Sequence, residues 1–158
     1  MEGISPENLD ALDNGYRRTA MIIAAQIFFT IIFTVAVCLL APAARNPISQ
    51  QTLTTLWATM IFLALGAFVL RRTFFRWDRF KDITVLKGVS GLLKTLQMNA
   101  IVLGALAMTP AIVGGIITVL SGEKFEVIRA GIVSVIVFLI NFPRKPVWEK
   151  IVAGMEKV

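Results

Sequence analysis

The side chains best suited to polar chemistry within the apolar parts of this chain are amides and a hydroxyl. Gln26 lies in the first long apolar stretch, and Asn99 and Thr109 lie in the third. Such residues form hydrogen bonds between helices in a membrane, typically for about 1 kcal/mol or less. We therefore predict that these three residues form polar contacts between helices, rather than a ligand site.

The residue types that catalysis uses most often are scarce. The sequence contains no histidine and one cysteine, Cys38, which lies inside an apolar stretch. Zinc and haem sites normally need imidazole or several thiolates, so we predict neither a metal nor a cofactor. No nucleophile–base pair and no glycine-rich phosphate loop can be recognised. The sequence predicts a protein that is not an enzyme, in which Cys38 is a packing residue.

The ten acidic residues lie outside the central parts of the apolar stretches. A proton-coupled transporter needs an ionisable group within the membrane, so this distribution argues against that class of protein. Glu126 and Arg129 are three residues apart, and this spacing predicts a surface ion pair of small energetic value.

Four long stretches with few or no charges dominate the 158-residue chain. A membrane span needs about 20 predominantly apolar residues, and the mean hydropathy of +0.75 exceeds that of ordinary soluble domains. We predict an all-α, polytopic membrane protein whose four transmembrane helices form two hairpins in one domain, residues 19–158. For the short fourth stretch, a re-entrant helix is the alternative. The predicted spans are residues 20–41, 53–71, 96–120 and 125–142.

Basic residues are distributed unevenly between the two sides of these spans. Thirteen of the sixteen lie in the amino-terminal segment, in residues 71–94 and in the carboxyl-terminal tail, and the others are Arg45, Lys124 and Arg129. The positive-inside rule therefore predicts that both termini and the central loop face the cytoplasm. Because membrane topology accounts for the net charge of +6, we predict no binding to nucleic acid.

The amino-terminal segment, residues 1–18, is acidic. Ser5 followed by Pro6 predicts the start of a helix. We expect a solvated, mobile terminus, because chain ends are usually poorly tied down. A short cytoplasmic helix that contacts a partner is the alternative.

The central loop, residues 72–95, combines basic and aromatic side chains at helical spacing. This pattern predicts a basic amphipathic segment on the membrane surface, interrupted at Gly88 and Gly91. Its partners would be anionic lipid headgroups or a protein. The residues predicted to make these contacts are Arg72, Arg76, Trp77, Arg79 and Lys81.

The third span carries small residues on one face of a helix. Because small faces let helices approach closely in lipid, we predict a packing surface, either inside the bundle or towards another subunit. Pro110 frees the carbonyl of Leu106, for which Thr109 or a neighbouring helix is the predicted donor. The residues of this face are Ala100, Gly104, Ala107, Ala111 and Gly115.

Residues 105–111 (ALAMTPA) and the following Gly114-Gly115 resemble the second helix of rotary-ATPase proteolipid subunits. Those helices carry an ion-binding carboxylate where this chain has Met108 and Thr109, so the resemblance implies no transport site. Residues 106–150, which include the terminal NFPRKP motif, are similar to the second half of poorly characterised small four-span bacterial membrane proteins. This resemblance implies a location in a bacterial inner membrane and no particular activity.

Three functions fit the sequence. The first is a non-catalytic membrane subunit or scaffold, with membrane lipids and other subunits or copies of itself as partners. The second is a homo-oligomeric channel or proteolipid-like ring, whose pore is lined by Gln26, Asn99 and Thr109. The third is a small enzyme of lipid or thiol-conjugate metabolism, comparable in size and span count to microsomal glutathione transferases but without their loop signature. The missing catalytic chemistry favours the first.

Overall fold

The computed structural model describes residues 4–41 and 48–155, so Arg45 and Lys157 of the charge count lie outside the described residues. Four helices are long and apolar enough to cross a membrane. The predicted all-α fold with four membrane-spanning helices is confirmed. The elements along the described chain are α1 (Pro6–Leu40), α2 (Gln50–Phe74), α3 (Trp77–Ser121), α4 (Lys124–Asn141) and α5 (Lys145–Met155).

Helix α3 is the centre of the bundle and packs against all four other helices. Helix α4 also contacts α1 and, less extensively, α2. In the described part of the chain α1 and α2 do not approach each other, so they flank the α3–α4 pair. The second predicted hairpin, α3 with α4, is therefore a packed unit. The first is not, because α1 and α2 pack on α3 rather than on each other.

The contact between α3 and α4 depends on the absence of a side chain at Gly114. A Cβ atom there would collide with the Cβ of Ala130 and lie 3.4 Å from the carbonyl oxygen of Glu126. Close by, the backbone N–H of Ala111 donates a hydrogen bond to Oγ of Ser134 at 2.8 Å. Close packing and hydrogen bonds of this kind hold helices together where lipid provides little hydrophobic driving force.

Helix α1 begins at Pro6, as predicted, with the hydroxyl of Ser5 as its N-cap. At about 1.5 Å per residue, its 35 residues extend for about 50 Å, well beyond a hydrocarbon core of about 30 Å. The prediction of a mobile terminus is wrong for residues 6–18, which are the first turns of α1. They are held in place because Leu12 is fully buried.

The amino-terminal turns of α1 pack with the first part of α3 and with α5 into a compact unit, which we call the cap (residues 6–18, 77–95 and 145–155). The ring of Tyr16 meets Trp148 edge-on, with 5.8 Å between the ring centroids. Asp13 pairs with Lys145 at 2.8 Å. Helix α5 was not predicted from the sequence, yet it supplies much of the apolar interior of the cap. The largest buried side chains here are Leu12, Phe80, Leu92, Leu93, Trp148, Ile151, Val152 and Met155.

Helix α3 is interrupted at Gly88, where φ is 67° and ψ is −174°. Glycine adopts this positive φ without the steric penalty of a Cβ atom. The predicted interruption is confirmed at Gly88 and wrong at Gly91, which is helical. The break separates residues 77–87 from the long segment 89–121, which begins in the cap and continues through the bundle.

Replacing Gly114 by leucine should destabilise the bundle, because the new side chain must displace α4 from α3. Overpacking a well-packed interior costs about 1–3 kcal/mol, so we expect a lower midpoint of thermal unfolding in detergent micelles. Gly66→Leu is the matched control, since a Cβ atom at Gly66 of α2 meets no atom within 4 Å. If the Gly114→Leu variant melted like the control, the close α3–α4 contact would not be required.

Candidate functional site

The small residues predicted to form a packing surface on α3 all lie inside the protein. On the side of α1, Gly104 lies against the side chain of Gln26, and a Cβ atom at Gly115 would be 2.8 Å from the ring of Phe33. The bundle of the single chain therefore covers this face, and another subunit has no access to it. The buried residues are Ala100, Gly104, Ala107, Ala111 and Gly115.

The three predicted polar contacts are made in different ways. Asn99 is buried, and its Nδ2 donates to the carbonyl of Phe74 at 3.2 Å, which links α3 to α2. Thr109 donates from Oγ1 to the carbonyl of Leu106 at 2.7 Å, so its hydrogen bond lies within α3 and not between helices. Gln26 lies on α1, and its buried Oε1 has no hydrogen-bond partner.

Two of these three residues already have hydrogen-bond partners within the chain. Asn99 and Thr109 are about 15 Å apart along α3 at 1.5 Å per residue. The amide of Asn99 is directed to α2 of its own chain. The polar residues therefore stabilise the monomer, Asn99 between helices and Thr109 within one.

The basic segment of the central loop packs differently from the prediction. Phe80 is fully buried in the cap, and the ring of Trp77 lies against Gly154 of α5. Helix α5 thus covers part of the apolar side of the segment, whereas Val85 and Leu86 are 71% and 80% exposed. The guanidinium of Arg79 lies 5.4 Å from the ring centroid of Phe74. The predicted contact residues are all exposed: Arg72, Arg76, Trp77, Arg79 and Lys81.

A buried carboxylate lies at the opposite end of the bundle from the cap. Glu126, in the first turn of α4, is 8% exposed. It accepts hydrogen bonds from Nε1 of Trp57 at 2.7 Å and from Nη1 of Arg129 at 3.1 Å. The prediction of a simple surface ion pair is wrong, because only the Arg129 side chain, at 66% exposure, is at the surface. Through Trp57, the carboxylate joins α4 to α2.

We call the hydrogen bond between Trp57 and Glu126, which joins α2 to α4, the clamp. Sequence reasoning missed it because the two residues are 69 positions apart. Each carboxylate oxygen of Glu126 has its own donor, so the arrangement is suited to holding helices rather than to moving a proton. Across residues 4–41 and 48–155, no three histidine, cysteine, aspartate or glutamate side chains come together as metal ligands. Cys38 is a half-buried free thiol.

Three of the surface cavities differ in chemistry. One of about 280 Å³ between α1 and α4 has aliphatic walls, typical of a surface that lipid tails cover. A second, of about 720 Å³, opens beside the Asp13–Lys145 ion pair of the cap. The third, of about 130 Å³, lies between Arg71 and Arg144, where α2 ends and α4 connects to α5.

Comparison of the chain with protein-family models, curated proteins and solved structures finds no match. Its function is therefore inferred from its own geometry.

Replacing Trp57 by phenylalanine should destabilise the bundle, because the Glu126 carboxylate then loses a buried donor. A hydrogen bond to a charged group contributes about 1.5–3 kcal/mol, so we expect coupling of that size between Trp57→Phe and Glu126→Gln in a double-mutant cycle of thermal unfolding. Arg129→Gln is the control, with a cost of at most about 1 kcal/mol because Arg129 is largely exposed. If the two substitutions lowered the stability additively, the hydrogen bond between Trp57 and Glu126 would not stabilise the bundle.

Proposed function

We propose that the protein is a non-catalytic integral membrane subunit of a larger membrane protein complex, and that it binds its partner through the outer face of α2. The observation that carries the proposal is a row of small side chains on that face. They recur every seven residues; three of them are exposed and Gly66 is half-buried, and three exposed residues lie between them. We call this row the α2 seam: Thr52, Thr59, Gly66 and Thr73, with Thr55, Phe62 and Val69 in the intervening positions.

Heptad spacing is the pattern of a helix that packs along a second helix in a left-handed supercoil. Small residues at such positions let two helices approach closely in lipid, where van der Waals contact drives association. At Gly66 the space that a side chain would fill is empty, with no atom within 4 Å. A helix seated on the α2 seam would fill it.

The hydroxyl groups of the α2 seam suit burial against a partner. Thr59 donates to the carbonyl of Thr55 at 2.9 Å, and Thr73 donates to the carbonyl of Val69 at 3.2 Å. Each donor is already satisfied within its own helix, so covering it with an apolar surface leaves no unpaired donor. The outer face of α1 offers no such row, because its exposed Ala24 and Ala25 are followed seven residues later by Ile31 and Ile32.

The charges at the cap end favour a different protein as the partner over a second copy. Two copies share one orientation in the membrane, so a two-fold contact through α2 would bring Arg71 and Arg72 of both chains together. Like charges oppose such a contact. A partner helix with acidic residues at the same end would be attracted instead. By the positive-inside rule, we place the cap in the cytoplasm, with the protein in a bacterial inner membrane.

The test is native mass spectrometry of the complex released gently from its own membrane, for wild type and two variants. We expect a stoichiometric second protein with wild type. Gly66→Leu should reduce its recovery by about tenfold or more, equivalent to about 1.4 kcal/mol of association free energy. Ala25→Leu, a matched substitution on the exposed face of α1, should leave it unchanged.

Two outcomes would overturn the proposal. A closed homo-oligomer without other proteins would replace it with the ring or channel function. Equal recovery of the partner with Gly66→Leu and Ala25→Leu would show that the partner binds elsewhere. An unchanged unfolding midpoint of Gly66→Leu is the check that the variant alters assembly and not the fold.

A further inference from the structure

The smallest of the three cavities holds two arginines without a counter-ion. Arg71 lies in the last turn of α2, and Arg144 lies in the connection between α4 and α5; both line the cavity of about 130 Å³. Their positive charges repel each other. Within the described chain no carboxylate pairs with either arginine.

Two other side chains that line this cavity carry buried polar atoms without a partner. Trp148 is 1% exposed, and its Nε1 donor has no acceptor. Asn141 is 8% exposed; its Nδ2 donates to the carbonyl of Val137 at 2.9 Å, and its Oδ1 accepts nothing. Buried polar groups are almost always hydrogen-bonded. Both residues line the same cavity as the two arginines, so an anionic ligand that also offers a donor would satisfy these atoms.

We propose that this cavity binds the phosphate of an anionic glycerophospholipid whose headgroup carries a hydroxyl, such as phosphatidylglycerol. The guanidinium groups of Arg71 and Arg144 bind the phosphate oxygens, and Nε1 of Trp148 donates to the phosphate as well. The headgroup hydroxyl donates to Oδ1 of Asn141. Free phosphate has the same anionic chemistry, and the experiment below separates the two sources.

The chemistry and the position of the cavity support a lipid headgroup. Guanidinium groups bind phosphate oxygens in pairs, with strong charge-assisted hydrogen bonds. One water needs roughly 10–15 Å³ of such space, so about 130 Å³ admits a group of several atoms. Arg71 ends a membrane-spanning helix, which puts the cavity at the level of lipid headgroups. Phe75 and Val147 supply apolar walls against which the glycerol backbone can pack.

This site differs from the exposed cations of the central loop. Exposed residues such as Arg72 and Lys81 attract any anionic surface, with an attraction that salt screens. Arg71 is half-buried, and it shares a cavity with the exposed Arg144 and with specific polar groups, so the bound lipid should be retained one per chain. The proposal is independent of the partner assigned to the α2 seam.

The first arm of the test measures lipid retention. Wild type and variants are reconstituted in phosphatidylcholine nanodiscs containing phosphatidylglycerol, and bound lipid is counted by native mass spectrometry. We expect one phosphatidylglycerol per wild-type chain and about tenfold weaker retention in Arg71→Gln/Arg144→Gln, because charge-assisted hydrogen bonds are lost. Trp148→Phe, which keeps the ring that packs on Tyr16 but removes the donor, should give an intermediate loss.

The control for this arm is Arg18→Gln/Lys150→Gln, which removes two exposed charges of the cap and leaves the cavity intact. It should retain the lipid like wild type. Equal retention by wild type and Arg71→Gln/Arg144→Gln would overturn the proposal. An equal loss in the control would also overturn it, because charge alone would then explain binding.

The second arm measures thermal unfolding in a neutral detergent, first without added anion and then with phosphatidylglycerol or inorganic phosphate. Without an anion, Arg71→Gln should melt at or above the wild-type midpoint, because it removes an unpaired charge and its repulsion of Arg144. Phosphatidylglycerol should raise the wild-type midpoint only. A rise with inorganic phosphate but not with lipid would assign the site to free phosphate and overturn the lipid assignment.

Discussion

Close contact of α3 with its neighbours is the constraint on which the rest of the structure depends. Within lipid, apolar side chains gain little by leaving the hydrocarbon for each other, so helices associate only where their backbones can approach. Helix α3 meets this condition with Gly104 and Gly115 towards α1 and Gly114 towards α4. Because α1 and α2 do not touch in the described chain, their relative position is fixed through the central α3–α4 pair.

Polar groups then fix the ends of the bundle, where packing alone would allow the helices to rotate about their axes. At one end Glu126 joins α4 to α2 through Trp57. Near the other end Asn99 joins α3 to the last residue of α2. Helix α2 is thus held by a single polar link at each end and by limited packing between them, which leaves the α2 seam uncovered.

The sequence predicts the parts of this structure that depend on local composition. The apolar stretches predict the spans, Ser5-Pro6 predicts the start of α1, and Gly88 predicts the break in α3. The sequence does not predict which surface covers the small residues of α3. Periodicity shows that one face of the helix carries small residues, but it does not show which helix packs on that face. Helix α5 was missed because it is short and depends on burying Trp148 against distant residues. The same distance in sequence conceals the Trp57–Glu126 clamp and the Arg71–Arg144 cavity.

Helix α1 continues without a break from the cap to the far end of the bundle, whereas α3 is divided at Gly88. An unbroken helix is stiff along its axis, since bending it requires distorting its hydrogen bonds. A tilt of the cap is therefore transmitted across the membrane by α1, which moves as a rigid body. Gly88 lies inside the cap, where rotation about this one residue lets residues 77–87 move relative to residues 89–95. Residues 77–87 are thus a part of the cap that can move without tilting a membrane-spanning helix.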